Sequence, residues 1–304
     1  MEFRQLEYFV QIARQQGFSR AAAHLYVAQS ALSRQITLLE QELGVSLLLR
    51  TGRGVQLTEA GEIFLARAES IIRQCRQVRQ DVAPSDAPRG ELSLGLPPSL
   101  TATLAMPLLS ELRRRYPDIF VDVWIETSIL LRDFVLRGKL DIAVLGTAEH
   151  EAILNTEALL TEDLFLVGPK TASLDIHNTI SMSDAASIPL ILTSRPNSIR
   201  VVVEAALRQQ GSPNIVMEVN SVPLSLELVA AGIGHTVLPF SAIKGALEKH
   251  LLVASKIDGL SLDWVIATSR ERPLAAGACR AQELIRQMIE AAITAGAWPY
   301  ARRP

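Results

Sequence analysis

Apolar residues recur at helical spacing through the first eighty positions of the chain. A helix over residues 29–43 places its apolar side chains on one stripe, and Gly44 ends it, since glycine is favoured just after a helix. A shorter helix with Ser19 as its N-cap precedes it, and residues 26–28 form the break between the two. Two helices joined by a short turn are typical of a helix-turn-helix. The stripe of the longer helix comprises Leu32, Ile36, Leu39 and Leu43.

A short hairpin is predicted directly after these helices. Residues 50–58 carry two glycines at a turn, with Arg50 and Arg53 beside them. A hairpin with arginines at its tip is suited to lie along DNA phosphates. Thr58 is then placed to cap the next helix. The pattern therefore predicts a winged helix-turn-helix over residues 1–58.

A third apolar repeat, over residues 59–83, has the alternating four and three spacing of a coiled coil. We interpret this helix as a linker that pairs with a second copy of the chain, because no comparable helix before residue 84 is available to cover it. Packing of the helix on its own domain is the alternative. The seam comprises Phe64, Ala68, Ile71, Cys75, Val78 and Val82.

Beyond a turn-rich hinge at residues 84–90, short apolar runs alternate with amphipathic helices. This rhythm predicts a parallel α/β sheet, so the expected fold class is α plus α/β. We expect two subdomains, with the chain passing between them near residues 161 and 268 and a ligand cleft between them. Within the effector domain 91–304, subdomain I comprises residues 91–161 and 268–304, and subdomain II comprises residues 162–267.

Charge is distributed unevenly along the 304 residues. The net charge is −2, yet the first eighty residues carry ten arginines against seven glutamates. A mildly basic head on an acidic body suits a DNA-binding module joined to another domain. No leader segment and no apolar run long enough for a membrane is recognised, so a cytoplasmic location without a membrane partner is expected.

Polar side chains occupy the predicted outer face of the helix over residues 29–43. Glutamine pairs with adenine, arginine with guanine, and serine or threonine with either, so this face can read base edges. The candidates from this pattern are Gln29, Ser30, Ser33, Arg34 and Thr37.

The run FSRAAAHLYVAQSALSRQITLLEQELGVSLLLRTGRGVQLTEAGE resembles the signature of LysR-type transcriptional regulators. The match is nearly continuous from Phe3 to Gly61, and Leu48 stands where the family usually has phenylalanine. The resemblance implies an effector domain like type 2 periplasmic binding proteins, pairing of two chains through the linker helix, and assembly as dimers or tetramers. It implies promoter DNA, a small-molecule effector and RNA polymerase as partners. The DNA contacts that it implies are Ala28, Gln29, Ser30, Ser33, Arg34, Arg50 and Arg53.

Hydroxyl side chains follow several predicted strands of the body, where they would face the cleft. Free N–H groups at the start of the following helices attract an anion or a polar head group. Each hydroxyl could instead serve as an ordinary helix cap, and Arg200 could take the anion-binding role of Arg195. By position, the resemblance places effector contacts at Ser99, Thr101, Ser128, Thr193, Arg195 and Thr236.

Catalytic motifs are not recognised in the sequence. The five histidines have no serine, aspartate or cysteine at a triad spacing, and GxSxG, Walker A and HExxH are absent. We therefore expect a regulator rather than an enzyme, with no metal and no cofactor besides a small co-inducer. The alternatives are an enzyme or a solute-binding domain fused to a DNA-binding head.

Overall fold

The structure is a computed structural model that describes residues 1–52, 54–81, 89–147, 154–208 and 213–304. The chain divides into two compact units. The first unit comprises Met1–Ser85 with Arg137–Lys139, and the second comprises Asp86–Leu136 with Leu140–Pro304.

The first unit is a winged helix-turn-helix followed by a long helix. Its elements are α1 (Phe3–Gln15), α2 (Phe18–Leu25), α3 (Gln29–Leu43), β1 (Leu48–Thr51), β2 (Gly54–Leu57) and α4 (Glu59–Asp81). The strands pair antiparallel, with Arg50 opposite Val55. Gly44 follows α3 with a φ of +70°, a left-handed conformation that glycine adopts without a steric penalty. These bounds agree with the helices, the hairpin and the wing predicted from the sequence.

Two local predictions in this unit are wrong. Ser19 is not an N-cap, because α2 begins two residues earlier than that cap would require, with Gly17 as its cap, and Phe18 is buried in the core. Leu43 is exposed rather than buried, since it lies in the last turn of α3 beyond the packed helices. The predicted cap of α4 is confirmed, because the Thr58 hydroxyl accepts a hydrogen bond from the Gly61 N–H at 2.9 Å.

The first half of α4 packs on its own domain, which corrects the predicted seam. Ala68 and Ile72 are buried in a cluster with Leu6 and Val10 of α1. Phe64 meets Phe9 of α1 edge to face, with 5.0 Å between ring centroids. The local partner that the sequence analysis did not recognise is therefore α1. Of the other seam residues, Ile71, Cys75 and Val78 are exposed, and Val82 lies outside the described residues.

The second unit contains ten strands and seven α-helices within its described residues. The strands are β3 (Gly90–Leu96), β4 (Ile119–Ile125), β5 (Ile142–Thr147), β6 (Leu154–Pro169), β7 (Thr179–Ile180), β8 (Leu190–Leu192), β9 (Ile215–Glu218), β10 (Thr236–Pro239), β11 (Leu252–Ser269) and β12 (Ala301–Arg302). The helices are α5 (Met106–Arg115), α6 (Ser128–Leu136), α7 (Met182–Ala186), α8 (Ser198–Leu207), α9 (Val222–Ala230), α10 (Phe240–Glu248) and α11 (Ala276–Thr294).

One mixed sheet runs through this unit in the order β10-β6-β11-β5-β3-β4. β3 pairs in parallel with β4 and β5, as the strand-helix-strand rhythm predicts. β6 and β11 instead pair antiparallel with each other and with their other neighbours, β10 and β5, so the prediction of a parallel sheet throughout is wrong. A second small sheet joins β8 and β9 in parallel.

The second unit is one compact unit, so the two subdomains expected within it stay a prediction. The first predicted passage, at residue 161, falls within β6. The second, near residue 268, falls within β11, and Thr161 pairs with Asp263 between the two strands.

The first helix of the second unit begins irregularly. Residues 101–105 form wide π-helical turns, and regular α-helix begins only at Met106. Pro107 has no N–H to donate to the carbonyl of residue 103, which disfavours regular α-helical bonding in the first turn.

A buried carboxylate links β6 by hydrogen bonds to β11, to the start of α10 and to Trp298. Glu162 of β6 is fully buried and accepts four hydrogen bonds. Trp264 of β11 and Trp298 donate their indole N–H groups at 2.9 and 2.8 Å, and Ser241 donates its backbone N–H at 2.6 Å and its hydroxyl at 3.0 Å. Burial raises the pKa of Glu162, and the four donors oppose this rise.

Candidate DNA-binding surface and effector pocket

The outer face of α3 carries the predicted DNA-reading residues side by side. The buried side chains of α3 are Leu32, Ile36 and Leu39. The opposite face presents polar groups and the cation of Arg34 to solvent, so DNA can approach it directly. The exposed members are Ala28, Gln29, Ser30, Arg34 and Thr37, and Ser33 is half-buried.

Two of these side chains already have hydrogen-bond partners within the helices of the head. The Ser19 hydroxyl donates to the Gln29 side-chain oxygen at 3.0 Å, which restrains the amide beside the start of α3. The Thr37 hydroxyl donates to the Ser33 carbonyl at 3.0 Å, so its hydrogen is already engaged one turn back along the helix. The Gln29 side chain is therefore restrained on this face, whereas the Thr37 hydroxyl can offer only its lone pairs.

Arg50 of the wing lies against the same face. Its guanidinium donates to the Ser33 hydroxyl at 2.7 Å and sits 4.6 Å from the centroid of the Phe18 ring. The ring and the hydroxyl together hold the cation beside α3, where it can meet a phosphate. Arg53, the second predicted wing contact, lies outside the described residues.

Arg34 provides the prediction for this surface. We expect Arg34→Ala to weaken binding to a cognate duplex about ten- to a hundredfold, because a bidentate arginine–guanine pair contributes roughly 1–3 kcal/mol of discrimination. The measurement is fluorescence anisotropy with the full chain. Arg14→Ala is the matched control, since Arg14 is an exposed arginine that pairs with Glu69 on α4. Equal losses for the two variants would contradict the assignment of Arg34 to the reading surface.

A pocket in the second unit lies where several elements meet near the ends of β3, β4 and β8. Its volume is about 50 Å³, much less than the roughly 300–1,000 Å³ of typical ligand sites. Little space is therefore left between its walls. One wall is apolar and the other carries hydroxyl and amide groups. The lining comprises Pro97, Pro98, Ser99, Thr127, Ser128, Gly146, Thr193, Asn197, Ser198, Ile199, Asn220, Val222, Leu238, Leu262 and Trp264.

Three of the six predicted effector residues come together in this pocket: Ser99, Ser128 and Thr193. Ser128 already accepts a hydrogen bond from the Gly146 N–H at 3.0 Å. The Thr193 hydroxyl is buried and has no hydrogen-bond partner among the described residues. A buried hydroxyl without a partner is costly, so it is a group that a polar ligand would satisfy.

The other three predicted residues are not in the lining of this pocket. The Thr101 hydroxyl donates to the Pro98 carbonyl at 2.9 Å, Arg195 forms an ion pair with Glu204, and Thr236 is buried in β10 opposite Val167. Their side chains or strand positions are occupied by local partners. As effector contacts they remain predictions without support from the pocket geometry.

Arg200, the alternative to Arg195, is also turned away from the pocket. It is buried and pairs with Glu204 at 2.7 Å and Glu218 at 3.1 Å. It also donates to the Thr193 carbonyl at 2.9 Å, which fixes the backbone that carries the free hydroxyl. Burial alone would raise the pKa of Glu204, but Arg195 and Arg200 beside it hold that pKa below its usual value.

Sequence reasoning missed two features of the pocket. Trp264 forms part of the apolar wall and also binds the buried Glu162 carboxylate. Asn220 comes soon after β9, a strand-end position like those that identified the other candidates, so the same signal could have found it. Trp264 lies within a strand, where alternation indicates only that it faces one side of the sheet.

Neither unit shows a metal centre in its described part. No group of three or more histidine, cysteine, aspartate or glutamate side chains is placed to hold a metal ion there. A search of the described helices likewise finds none whose length and hydropathy would allow it to cross a membrane.

A winged helix-turn-helix with a polar reading face, followed by an α/β unit with a small pocket, defines a ligand-regulated DNA-binding protein. The chain belongs to the LysR family of bacterial transcriptional regulators. Residues 3–62 match the family described as "Bacterial regulatory helix-turn-helix protein, lysR family", and residues 85–292 match "LysR substrate binding domain". The family consists of transcriptional regulators, so the chain is a regulator and not an enzyme.

Curated relatives cover most of the chain. The nitrogen assimilation regulatory protein nac of Klebsiella aerogenes is 36% identical over 247 residues, which are 80% of this chain and 80% of the relative. The HTH-type transcriptional regulator BbuR of Bordetella bronchiseptica is 32% identical over 298 residues, 97% of this chain and 92% of the relative.

Solved structures share both units of the fold. Full-length CbnR in complex with its target DNA is 25% identical, with a TM-score of 0.71 over 95% of this chain and 100% of that chain. A full-length OxyR variant from Pseudomonas aeruginosa is 26% identical, with a TM-score of 0.70 over 95% of this chain and 97% of that chain.

Proposed function

We propose that this regulator binds promoter DNA in the cytoplasm through α3 and the wing, as a homodimer or homotetramer, and that a small anionic effector in the pocket around Thr193 controls it. RNA polymerase is the further partner that we propose at the promoter. No other cofactor is part of the proposal. The proposed position of the effector site is supported above all by the Thr193 hydroxyl. This hydroxyl is buried in the pocket wall and has no hydrogen-bond partner among the described residues.

The exposed side of α4 supports self-association. Ile63, Ile71, Cys75 and Val78 are exposed, and their spacing of eight, four and three residues puts them on one face of the helix. Apolar residues at this spacing on a surface helix favour pairing with a like helix. A two-fold pair would present two copies of α3 to a DNA site with matching symmetry.

The pocket lining favours an effector with a polar head and an apolar body. Ser99, Ser128 and Thr193 supply hydroxyl groups, and α6 begins at Ser128, where its N–H groups and dipole favour negative charge. Leu238, Leu262 and Trp264 form the apolar side of the pocket. A small carboxylate with a hydrophobic portion fits both sides.

The small volume of the pocket supports a regulatory role. A ligand of several heavy atoms needs more space than about 50 Å³, so its binding must move the walls apart. The walls come from the end of β3, from α6, from the start of α8 and from the residues after β9. A ligand that binds only the opened arrangement shifts the population of the effector unit toward it.

Thr193→Val tests the effector site, because valine keeps the shape of threonine and removes the hydroxyl. In a thermal-shift screen of the full chain against small carboxylates and their amides, we expect carboxylates to stabilise the wild type more than the matching amides. Thr193→Val should weaken the best carboxylate about tenfold, the loss of one hydrogen bond to a charged group. Thr193→Ser should retain affinity.

Thr101→Val is the matched control, since Thr101 is exposed and outside the pocket. We expect it to bind the same carboxylate as the wild type does. Amides that bind as well as carboxylates, or a Thr193→Val variant with unchanged affinity, would contradict the proposed effector site.

A further inference from the structure

Tyr26, in the turn between α2 and α3, combines high exposure with an unfavourable backbone conformation. It is 96% exposed, more than any other large apolar residue in the described chain. Its φ of +56° is left-handed, and it follows α2 directly as the C-cap. Both properties need a reason, because an exposed tyrosine gains nothing from packing.

The conformation of Tyr26 is costly for a residue with a bulky side chain. Glycine and asparagine adopt left-handed φ most readily, and glycine is the usual residue just after a helix. A tyrosine retained here without compensating contacts in the folded head indicates a function outside it.

The sequence around Tyr26 contains few cations. Between Arg20 and Arg34 it has no lysine or arginine, although this stretch includes the turn and the start of α3. In a helix-turn-helix the N-terminal part of the second helix enters the major groove, so the preceding turn lies beside the DNA backbone. Contacts to phosphates in this stretch must therefore come from neutral donors such as a tyrosine hydroxyl.

We propose that the Tyr26 hydroxyl donates a hydrogen bond to a DNA phosphate oxygen and thereby fixes the position of α3 in the major groove. This inference rests on the proposed binding of DNA through α3. The contact is neutral, so it releases no counterion on the protein side. Its contribution to affinity is independent of base sequence, and its removal leaves the salt dependence of binding unchanged.

The test uses the full chain and two duplexes, one selected from a random pool by the wild type and one of unselected sequence. Tyr26→Phe removes only the hydroxyl, and we expect a loss of about five- to tenfold in affinity for both duplexes, with the slope of log affinity against log salt unchanged. Arg50→Ala should instead reduce that slope by about one.

Tyr26→Asn separates function from stability. Asparagine relieves the left-handed strain, so we expect a higher melting temperature of the head together with DNA affinity as low as that of Tyr26→Phe. Gln16→Asn is the matched control, because Gln16 has a φ of +51° at the end of α1 and is also exposed. It should raise the melting temperature and leave DNA affinity unchanged.

Each outcome decides the proposal. Affinities of Tyr26→Phe and Tyr26→Asn within twofold of the wild type would overturn it. A loss with Tyr26→Asn but not with Tyr26→Phe would assign the contact to the ring rather than to the hydroxyl, and would also overturn it. If the wild type binds neither duplex, the proposed DNA binding fails, and the Tyr26 contact fails with it.

Discussion

The Glu162→Ala variant is expected to lose about 4 kcal/mol of unfolding free energy from the effector unit. The substitution removes the acceptor of four hydrogen bonds in a fully buried place. Each donor left without a partner costs roughly 1–3 kcal/mol, and the contributions of a shared network are not additive. Urea unfolding followed by circular dichroism measures the change.

Glu162→Gln sharpens this prediction. One carboxylate oxygen accepts from two N–H groups, those of Ser241 and Trp298, and the other accepts from Trp264 and from the Ser241 hydroxyl. In glutamine, the amide nitrogen is best placed where the oxygen bound by Trp264 and the Ser241 hydroxyl lies in the wild type. The Ser241 hydroxyl can rotate and accept a hydrogen bond from the amide, so only the Trp264 N–H is left facing another donor. We therefore expect a loss about half as large as that of Glu162→Ala.

The double variant Glu162→Gln/Trp264→Phe provides the control. Phenylalanine removes the donor that opposes the amide, so the combined loss should be smaller than the sum of the two single losses. Strict additivity, or a Glu162→Ala variant within about 1 kcal/mol of the wild type, would show that the network does not stabilise the unit as described.

Gly61→Ala is the second large effect, and it falls on the DNA-binding head. A Cβ at Gly61 would overlap the carbonyl oxygen of Leu47, which is backbone and cannot move aside as a side chain could. That carbonyl also accepts the Thr58 N–H at 3.0 Å, and Leu47 itself is buried in the core of the head. We expect a loss of about 3 kcal/mol in head stability and of DNA binding with it.

Tryptophan fluorescence can show whether the effector unit is unaffected by Gly61→Ala. Trp124, Trp264 and Trp298 all belong to the effector unit, so the unfolding transition seen by tryptophan fluorescence should be unchanged in Gly61→Ala. Gly52→Ala is the matched control, since a Cβ there meets no atom within 4 Å and its head should remain as stable as the wild type. Equal stability of the two variants would contradict the close packing described at Gly61.

Local sequence patterns predicted the head well, because its elements depend on nearby residues. The apolar stripe of α3, the glycine that ends it and the cap at Thr58 are all set by spacings of a few residues. The linker helix shows the limit of this reasoning. The helix itself was predicted, beginning at residue 59, but its seam was not, because the partner of its first half is α1, at the opposite end of the head in the sequence. Spacing alone does not identify a distant partner.

The effector pocket was predictable only in part, for the same physical reason. Ser99, Ser128 and Thr193 were found because the ends of predicted strands converge in an α/β domain. The resemblance placed Arg195 in the cleft, where a basic residue suits an anion, yet Glu204 neutralises it. Tertiary pairing of charges decides which arginine is available, and a single sequence does not reveal those pairs.

The length of β6 was also beyond prediction. Its second half, over residues 164–168, is a continuous apolar run typical of a buried strand. Its first half mixes polar and apolar residues, because one face packs in the core while Asn155 and Glu157 lie outside it.

Sequence selection by the full chain tests most directly whether two copies of α3 read a two-fold-related DNA site. Duplexes enriched from a random pool should contain two inverted half-sites whose centres are about one helical turn, roughly 10 base pairs, or a multiple of it apart. Arg34→Ala should lose this enrichment. A wild-type chain that enriches no sequence, or one that enriches a single site without symmetry, would contradict the account.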